Sequence, residues 1–220
     1  MAELSPTLGQ ELLSLTPATI QPAGRILIRQ GERTDRRVFL LSPTGTRPGA
    51  LAKVTTDLPN GEQCLLGIRV SGELVGELAS LRNLPRSATV TLCSDAEVRA
   101  IPEAQFIAFL RRHPEAGLAV AGMVAARLDW ANRRREDMTG YDVPTRIGHV
   151  LADLFDRHGR SVRTGYDLGV QLTQVELGRL VGAKQAAVGK AMRGLRERGI
   201  AMTRYRRVIV LRPDRLRPPD

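Results

Sequence analysis

The stretch GELVGELASLRNLPRSATV spans Gly72 to Val90 and sets a few charged side chains among apolar, small and kinking residues. Within it Glu77 and Arg86 stand nine residues apart. One interpretation is a surface ion pair, which contributes roughly 0–1 kcal/mol. The other is a site for a phosphate-bearing ligand, since a buried anion needs a guanidinium and backbone donors in place of its water. The neighbouring glycine, proline and serine residues favour the ligand interpretation for this loop.

Short strand-like runs lie on both sides of this stretch. Gly, Pro, Asn and Asp separate them at fairly regular intervals, which predicts a small β-sandwich or β-roll. The runs are RILIR (25–29), VFLLS (38–42), ALAKV (50–54), CLLGIRV (64–70), ATVTLCS (88–94) and EVRAI (97–101), after a short helix at 7–15.

The pattern becomes helical after Pro102, first in a short helix that stops at Pro114 and then from Glu115 to about Thr139. Small and apolar side chains recur in the longer segment at spacings of three and four, as in the seam of a coiled coil. A helix packed on its own β-domain is one possibility, but the polar outer face DWANRRRED (129–137) favours a homodimer. The seam consists of Ala121, Val124, Leu128, Ala131, Arg135 and Met138.

Gly140 is expected to end this helix, and TGYDVP (139–144) is expected to form a linker to a helix at Thr145–His158. The stretch LTQVELGRLVGAKQAAVGKAMRGLRERGI (172–200) then predicts a helix-turn-helix. Thr173 is a good N-cap and has Glu176 three residues further on, the spacing of a capping box. The predicted helices are Gln174–Leu180 and Lys184–Arg198, with a tight turn at 181–183 and a basic β-wing at 200–211.

Positive charge is concentrated in the last third of the chain. The formal net charge is +10, and residues 145–220 hold 16 Lys and Arg against 7 Asp and Glu, a net charge of +9. A solvated basic surface would have this composition too, but its coincidence with the helix-turn-helix favours a polyanionic partner.

Several classes of function lack the residues that they need. Cys64 and Cys93 form no metal-binding motif and the three histidines are scattered, so no metal site and no catalytic site is predicted. A cyclic-nucleotide phosphodiesterase would need metal ligands or a nucleophile–base pair, so the chain is not expected to be an enzyme. The apolar run GLAVAGMVAARL (117–128) is too short to span a bilayer, and a cytoplasmic protein without a membrane partner is expected.

In this order the segments resemble the CRP/FNR superfamily of bacterial transcription regulators, the proteins like the cyclic-AMP receptor protein. GELVGELASL followed by PRSATV is similar to the phosphate-binding cassette of cyclic-nucleotide-binding domains, and LTQVELGRLVGA is similar to the family's helix-turn-helix. The resemblance implies an α+β fold. Its parts are an N-terminal β-roll (a double-stranded jelly roll, 1–113), a long dimerisation helix (114–140) and a C-terminal winged helix-turn-helix (141–220).

The resemblance also implies a regulatory cyclic nucleotide in the β-roll, with cyclic AMP favoured, and no other cofactor. Arg86 would supply the charge for the phosphate, and Glu77 would accept a hydrogen bond from the ribose. Arg127 on the long helix matches an arginine that sits near the cassette glutamate. The positions that read adenine in the best-known members match Ala131 and Asn132, of which only Asn132 can hydrogen-bond a base. Cyclic GMP, a cyclic dinucleotide and no ligand therefore stay open. The implied ligand residues are Gly76, Glu77, Leu78, Arg86, Ser87, Ala88, Arg127 and Asn132.

For the helix-turn-helix the resemblance implies double-stranded DNA with a palindromic operator, a homodimer, and RNA polymerase as a candidate further partner. Gln185 suits adenine, Lys190 suits guanine, and Ala186 can meet only a thymine methyl group. Phosphate contacts are expected from Thr173, Lys184, Arg193, Arg206 and Arg207, which position the protein without specifying a sequence. The alternative is an architectural DNA-binding protein that needs no ligand.

Overall fold

The computed structural model describes residues 4–45, 49–205 and 207–217. The chain divides into two compact units, Met1–Asp129 and Trp130–Asp220. Each unit is described separately below.

Two antiparallel four-stranded sheets build the first unit, with strand orders β1-β8-β3-β6 and β2-β7-β4-β5. The predicted strands are present, while a short helix within the cassette was not predicted. The elements are α1 (Pro6–Ser14), β1 (Thr19–Gln21), β2 (Ile26–Ile28), β3 (Val38–Ser42), β4 (Leu51–Asp57), β5 (Gln63–Val70), β6 (Leu74–Val75), α2 (Glu77–Arg82), β7 (Thr89–Leu92), β8 (Ala96–Ile101), α3 (Glu103–Arg112) and α4 (Pro114–Gly140), whose last part belongs to the second unit.

Strand β3 explains how the β-roll core is arranged. Phe39 and Leu41 belong to the core between the two sheets, together with Val54 and Val90 of the facing sheet. Val38 and Leu40 point to the other face of β3 and join a second core. Helices α1, α3 and α4 cover that face, with Leu12, Phe106, Phe109 and Val120 among the buried residues. Because both faces are buried, VFLLS is a nearly continuous apolar run rather than an alternating one.

The second unit contains the winged helix-turn-helix. Its sheet has the strand order β11-β12-β10-β9. The elements are α5 (Val143–His158), β9 (Arg160–Val162), β10 (Gly165–Gln171), α6 (Gln174–Val181), α7 (Gln185–Glu197), β11 (Ala201–Arg204), β12 (Arg207–Val210) and a short 3-10 helix (Pro213–Arg215). The predicted α+β fold is confirmed.

The linker predicted at 139–144 is much shorter in the structure. Helix α4 ends at Gly140 as expected, but α5 begins at Val143, so only two residues separate the helices. Asp142 caps α5 by accepting a hydrogen bond from the Thr145 backbone N–H at 3.0 Å. Pro144 was read as a linker residue, yet proline fits the first turn of a helix, where no intrahelical N–H bond is lost.

Candidate functional sites

The cassette stretch lines a small cavity in the first unit. Its volume is about 70 Å³. All the predicted ligand residues of this unit lie around it, and Ile28, Val54, Arg69, Val75, Ala79 and Val90 complete the lining. The predicted residues brought together are Gly76, Glu77, Leu78, Arg86, Ser87, Ala88 and Arg127.

Glu77 pairs with the long helix rather than with Arg86. The Arg127 side chain donates from Nη1 to Glu77 Oε1 at 2.6 Å and from Nη2 to the Leu74 carbonyl at 2.6 Å. Its Nη2 also lies 3.2 Å from Glu73 Oε2. Glu77 is only 2% exposed, so its charge is balanced by Arg127 inside the protein. A surface ion pair between Glu77 and Arg86 does not describe this arrangement.

Arg86 is held by backbone carbonyl groups. Nε donates to the Asp35 carbonyl at 2.9 Å, Nη1 to Gly76 at 2.8 Å and Nη2 to Arg37 at 2.6 Å. The side chain is 2% exposed, and the Asp35 carboxylate oxygen Oδ1 is 3.9 Å from Nη2. All three nitrogens of the guanidinium therefore have acceptors within the protein. A phosphate would have to compete with these carbonyl groups.

Burial and a neighbouring charge shift the pKa of Arg86 in opposite directions. Burial lowers the pKa of the Arg86 guanidinium, and the negative charge of Asp35 partly offsets this. The pKa of Asp35 is itself lowered, mainly by a hydrogen bond from the Arg37 side chain. The Asp35 carboxylate thus stays ionised beside the buried guanidinium and stabilises its charge.

Gly76 allows a close approach of the Arg86 side chain. Its φ is +87°, a left-handed conformation that favours glycine. A Cβ atom there would lie 2.6 Å from Arg86 Nη1 and 2.8 Å from Ile28 Cδ1. The group that approaches Gly76 is the Arg86 side chain, so the glycine creates the space in which Arg86 is bound.

Sequence reasoning missed Arg69 and Glu73. Arg69 Nε lies 3.7 Å from Glu73 Oε2, and Glu73 also contacts Arg127. Arg69 lines the cavity at the end of the otherwise apolar run CLLGIRV. The signal in the sequence was the charge of Arg69 within this apolar run, which indicates a functional position.

The two positions of the long helix that were predicted to read the base of a bound nucleotide are exposed. Ala131 and Asn132 lie in the second compact unit, beyond the division within α4. The seam side chains are largely exposed too, with Leu128 at 59%. Leu118, nearer the start of the helix, is 74% exposed. Helix α4 therefore has exposed apolar side chains that no other described residue covers.

The helix-turn-helix has the predicted local structure. Thr173 accepts a hydrogen bond from the Glu176 N–H at 3.1 Å, and Glu176 accepts one from the Thr173 N–H at 2.8 Å. This reciprocal pair is a capping box and confirms the predicted start of α6. A Cβ atom on Gly178 would lie 2.4 Å from the Ala183 carbonyl, so this glycine permits the tight packing of the turn on α6.

Helix α7 separates its buried and exposed side chains cleanly. Val188, Ala191, Met192 and Leu195 are buried. The predicted base-reading residues Gln185, Ala186 and Lys190 are all exposed, as are Lys184 and Arg193. At 3.6 residues per turn, positions 185, 186, 190 and 193 fall within an arc of roughly 140°. The predicted DNA contacts on α7 therefore share one face.

The wing contributes a partly restrained arginine. Arg207 Nη1 donates to Asp167 Oδ2 at 2.8 Å, and the Arg207 side chain remains 49% exposed. Arg206, the other predicted phosphate contact of the wing, lies outside the described residues.

The described residues show neither a candidate metal centre nor a membrane-spanning helix. They contain no group of three or more His, Cys, Asp or Glu side chains arranged to hold a metal ion. Within the same ranges, each helix is too short or too polar to cross a membrane.

Comparisons with known proteins agree with this architecture. Residues 21–113 match the model of the cyclic nucleotide-binding domain, and residues 145–218 match that of the Crp-like helix-turn-helix domain. The chain is 26% identical over 195 residues to a CRP-like cAMP-activated global transcriptional regulator of Mycobacterium tuberculosis, covering 89% of this chain and 84% of the relative. It is 24% identical to the cAMP-activated regulator Vfr of Pseudomonas aeruginosa, with 84% of each chain covered.

Solved structures show the same fold. The c-di-GMP responsive global regulator CLP of Xanthomonas campestris superimposes with a TM-score of 0.74 at 19% identity, over 94% of this chain and 99% of that chain. A CRP-family regulator from Thermus thermophilus gives a TM-score of 0.70 at 22% identity, over 90% and 94%. The chain belongs to the CRP/FNR family of transcription regulators. Its relatives are regulators rather than enzymes, which confirms that part of the sequence prediction.

Proposed function

We propose that this chain acts as a homodimer that binds a palindromic DNA site, and that a cyclic nucleotide in the β-roll controls the binding. The observation that carries the proposal is the single exposed face of α7, where Gln185, Lys190 and Arg193 stand together above a buried apolar face. A helix-turn-helix inserts the N-terminal part of its second helix into the major groove. Two copies related by a two-fold axis would meet half-sites ~34 Å apart.

Cyclic AMP is the first candidate ligand. The relatives that are 26% and 24% identical are named as cAMP-activated, and the cassette residues surround one cavity. Glu77 and Ser87 both line the cavity, the first with a carboxylate side chain and the second with a hydroxyl side chain. Ala131 stands where a hydroxyl-bearing residue would read adenine, so cyclic GMP and c-di-GMP belong in the test beside cAMP.

The homodimer is supported by α4. Leu118 and Leu128 expose apolar surface on a 27-residue helix whose seam was predicted from the sequence. We expect Leu118→Glu with Leu128→Glu to convert a dimer to a monomer in light scattering. Ile20→Glu is the matched control, because Ile20 is 73% exposed but lies on β1. A wild-type monomer would overturn this part of the proposal.

A DNA-binding protein without a ligand is the second candidate, and the geometry of Arg86 favours it. Its three nitrogens are bound by carbonyl groups, and the cavity of about 70 Å³ is smaller than the roughly 300–1,000 Å³ of ligand pockets. In this case the only role of the β-roll would be to support dimerisation.

One experiment distinguishes the two candidates. DNA fragments are selected with the full-length protein in the presence of cAMP, cGMP, c-di-GMP or no nucleotide, and Trp130 fluorescence follows each nucleotide titration. Enrichment of a palindrome only with a nucleotide supports ligand control. Enrichment without a nucleotide, together with no heat of binding by calorimetry, supports the ligand-independent protein. Recovery of no preferred sequence under any condition would overturn the proposed DNA recognition. We also propose a cytoplasmic location, as for a protein that acts on bacterial DNA, and RNA polymerase as a further partner.

A further inference from the structure

The turn of the wing carries an aromatic side chain that the domain does not use. Strands β11 and β12 pair in the register Arg204 opposite Arg207, and Tyr205 directly follows the last residue of β11. Tyr205 is 86% exposed, more than any other large apolar side chain in the described part of the chain. Its ring therefore contributes nothing to a buried core.

The backbone at Tyr205 is unusual for such a residue. Its φ is +49°, in the left-handed region where two-residue hairpin turns ordinarily place Asn, Asp or Gly. A Cβ-bearing aromatic residue is disfavoured there. The fold thus keeps a bulky side chain where glycine would suit the turn better, and the ring gains no burial in return.

The surroundings of the ring are basic. The guanidinium carbon of Arg204 lies 5.9 Å from the Tyr205 ring centroid, and Arg207 follows on the next strand. Both arginine residues are exposed. An aromatic ring with a hydroxyl group, set among cations, suits a partner that offers both apolar surface and negative charge.

The sheet places this turn at the end where the helix-turn-helix begins. Arg207 of β12 pairs with Gln171, the last residue of β10. The chain then passes through Leu172 to Thr173, the N-cap of α6. The wing turn and the predicted DNA contact at Thr173 consequently belong to the same end of the sheet.

We infer that Tyr205 is a DNA-contacting residue whose ring packs against the sugar wall of the minor groove beside the half-site bound by α7. This inference rests on the proposed DNA binding. Deoxyribose gives the apolar surface, and the flanking phosphates pair with Arg204 and Arg207. Apolar side chains placed in the minor groove are a known means of kinking the duplex at deformable base steps, while cationic side chains beside them respond to groove width.

The test compares Tyr205→Gly and Tyr205→Phe in the full-length protein on the selected site. We expect Tyr205→Gly to weaken binding about tenfold, since truncation of a buried interface aromatic commonly has an effect of this size. Glycine suits a φ of +49°, so the variant should unfold at the same or a higher urea concentration than wild type. Tyr205→Phe should restore most of the affinity because it keeps the ring.

The salt dependence of binding and the length of the duplex distinguish packing of the Tyr205 ring from the loss of a phosphate contact. The slope of log K against log salt should not change for Tyr205→Gly, whereas the loss of one phosphate contact reduces it by ~0.9. Trimming the base pairs outside the two half-sites should make wild type and Tyr205→Gly bind alike. Equal affinities on the full duplex would overturn the inference. Wild-type protein that binds no DNA would instead refute the proposed function.

Discussion

Arg127 Nη1 lies 2.6 Å from Glu77 Oε1 and joins α4 to the first turn of the cassette helix α2. Glu77 is buried, so its carboxylate depends on the Arg127 guanidinium for its charge balance. The same arginine also binds the Leu74 carbonyl. The contact connects the long helix to the cavity wall within the first unit, at the place where a ligand would have to act.

Loss of Arg127 should destabilise the β-roll. Arg127→Met leaves the buried Glu77 charge without a partner, which costs about 3–5 kcal/mol of unfolding free energy. Urea denaturation measures the loss. Arg111→Met, a change at an exposed arginine of α3, is the matched control and should have little effect. Adding Glu77→Gln to Arg127→Met should recover part of the stability. An unfolding midpoint of Arg127→Met equal to that of wild type would contradict the assigned pair.

Two glycines of the cassette region should respond differently to alanine. Both have positive φ, +87° at Gly76 and +83° at Gly72, so both substitutions bear a backbone cost of roughly 1–2 kcal/mol. At Gly76 the new Cβ also meets Arg86 and Ile28 below 3 Å, whereas at Gly72 it meets nothing within 4 Å. Gly76→Ala should therefore lower the urea midpoint clearly more than Gly72→Ala. Equal midpoints would show that Arg86 does not fill this space.

Arg86 should be needed for stability as well as for any nucleotide binding. Arg86→Ala removes three donors from the Asp35, Gly76 and Arg37 carbonyl groups, each of which costs about 1–3 kcal/mol when left buried and unpaired. Arg86→Lys keeps the charge but cannot reach all three carbonyl groups. We expect both variants to unfold at lower urea than wild type, and any nucleotide response detected in the wild type to be lost in the alanine variant. A fully stable Arg86→Ala protein would contradict the structural role.

Lys190 and Arg193 should have different effects on DNA recognition. Lys190→Ala removes a contact suited to guanine and should relax preference at one base pair of each half-site by about 1–3 kcal/mol. Arg193→Ala removes a predicted phosphate contact and should weaken all sequences alike. Parallel binding selections on the two variants test the difference. A uniform loss across sequences for Lys190→Ala would refute its base-reading role.

Stability should fall in mild acid because of His158. Burial lowers its pKa from 6.5 to about 4, and the nearby charges of Arg157 and Arg160 act in the same direction. The unfolded chain therefore takes up a proton below about pH 6.5, while the folded protein resists it until about pH 4. The resulting loss of unfolding free energy is on the order of 3 kcal/mol and is complete only below the folded pKa. His158→Gln, which cannot titrate, should lose less stability between pH 7 and 4. Parallel pH profiles for the two proteins would contradict this assignment.

Much of the fold could be predicted from local pattern. Apolar runs punctuated by Gly and Pro marked the strands, and Thr173 with Glu176 marked the start of α6 through a capping box closed within four residues. The alternation of buried and exposed positions on α7 followed from helical periodicity. Such features depend on neighbours in the chain, so the sequence carries them directly. The two-residue joint between α4 and α5 was mispredicted because Pro144 is compatible with either a loop or a first helical turn.

The sequence by itself determined the order of the main helices and strands, the family and the residue types available to each site. Only the tertiary structure decided the partners of Arg86, whereas the family resemblance already placed Arg127 near Glu77. Glu77 and Arg86 are close in the chain, yet Glu77 pairs with Arg127, fifty residues away, and Arg86 binds the carbonyl groups of Asp35, Gly76 and Arg37. The reason is physical: a buried charge is stable only where folding brings enough counter-charge or hydrogen-bond acceptors around it, and these come from segments distant in sequence.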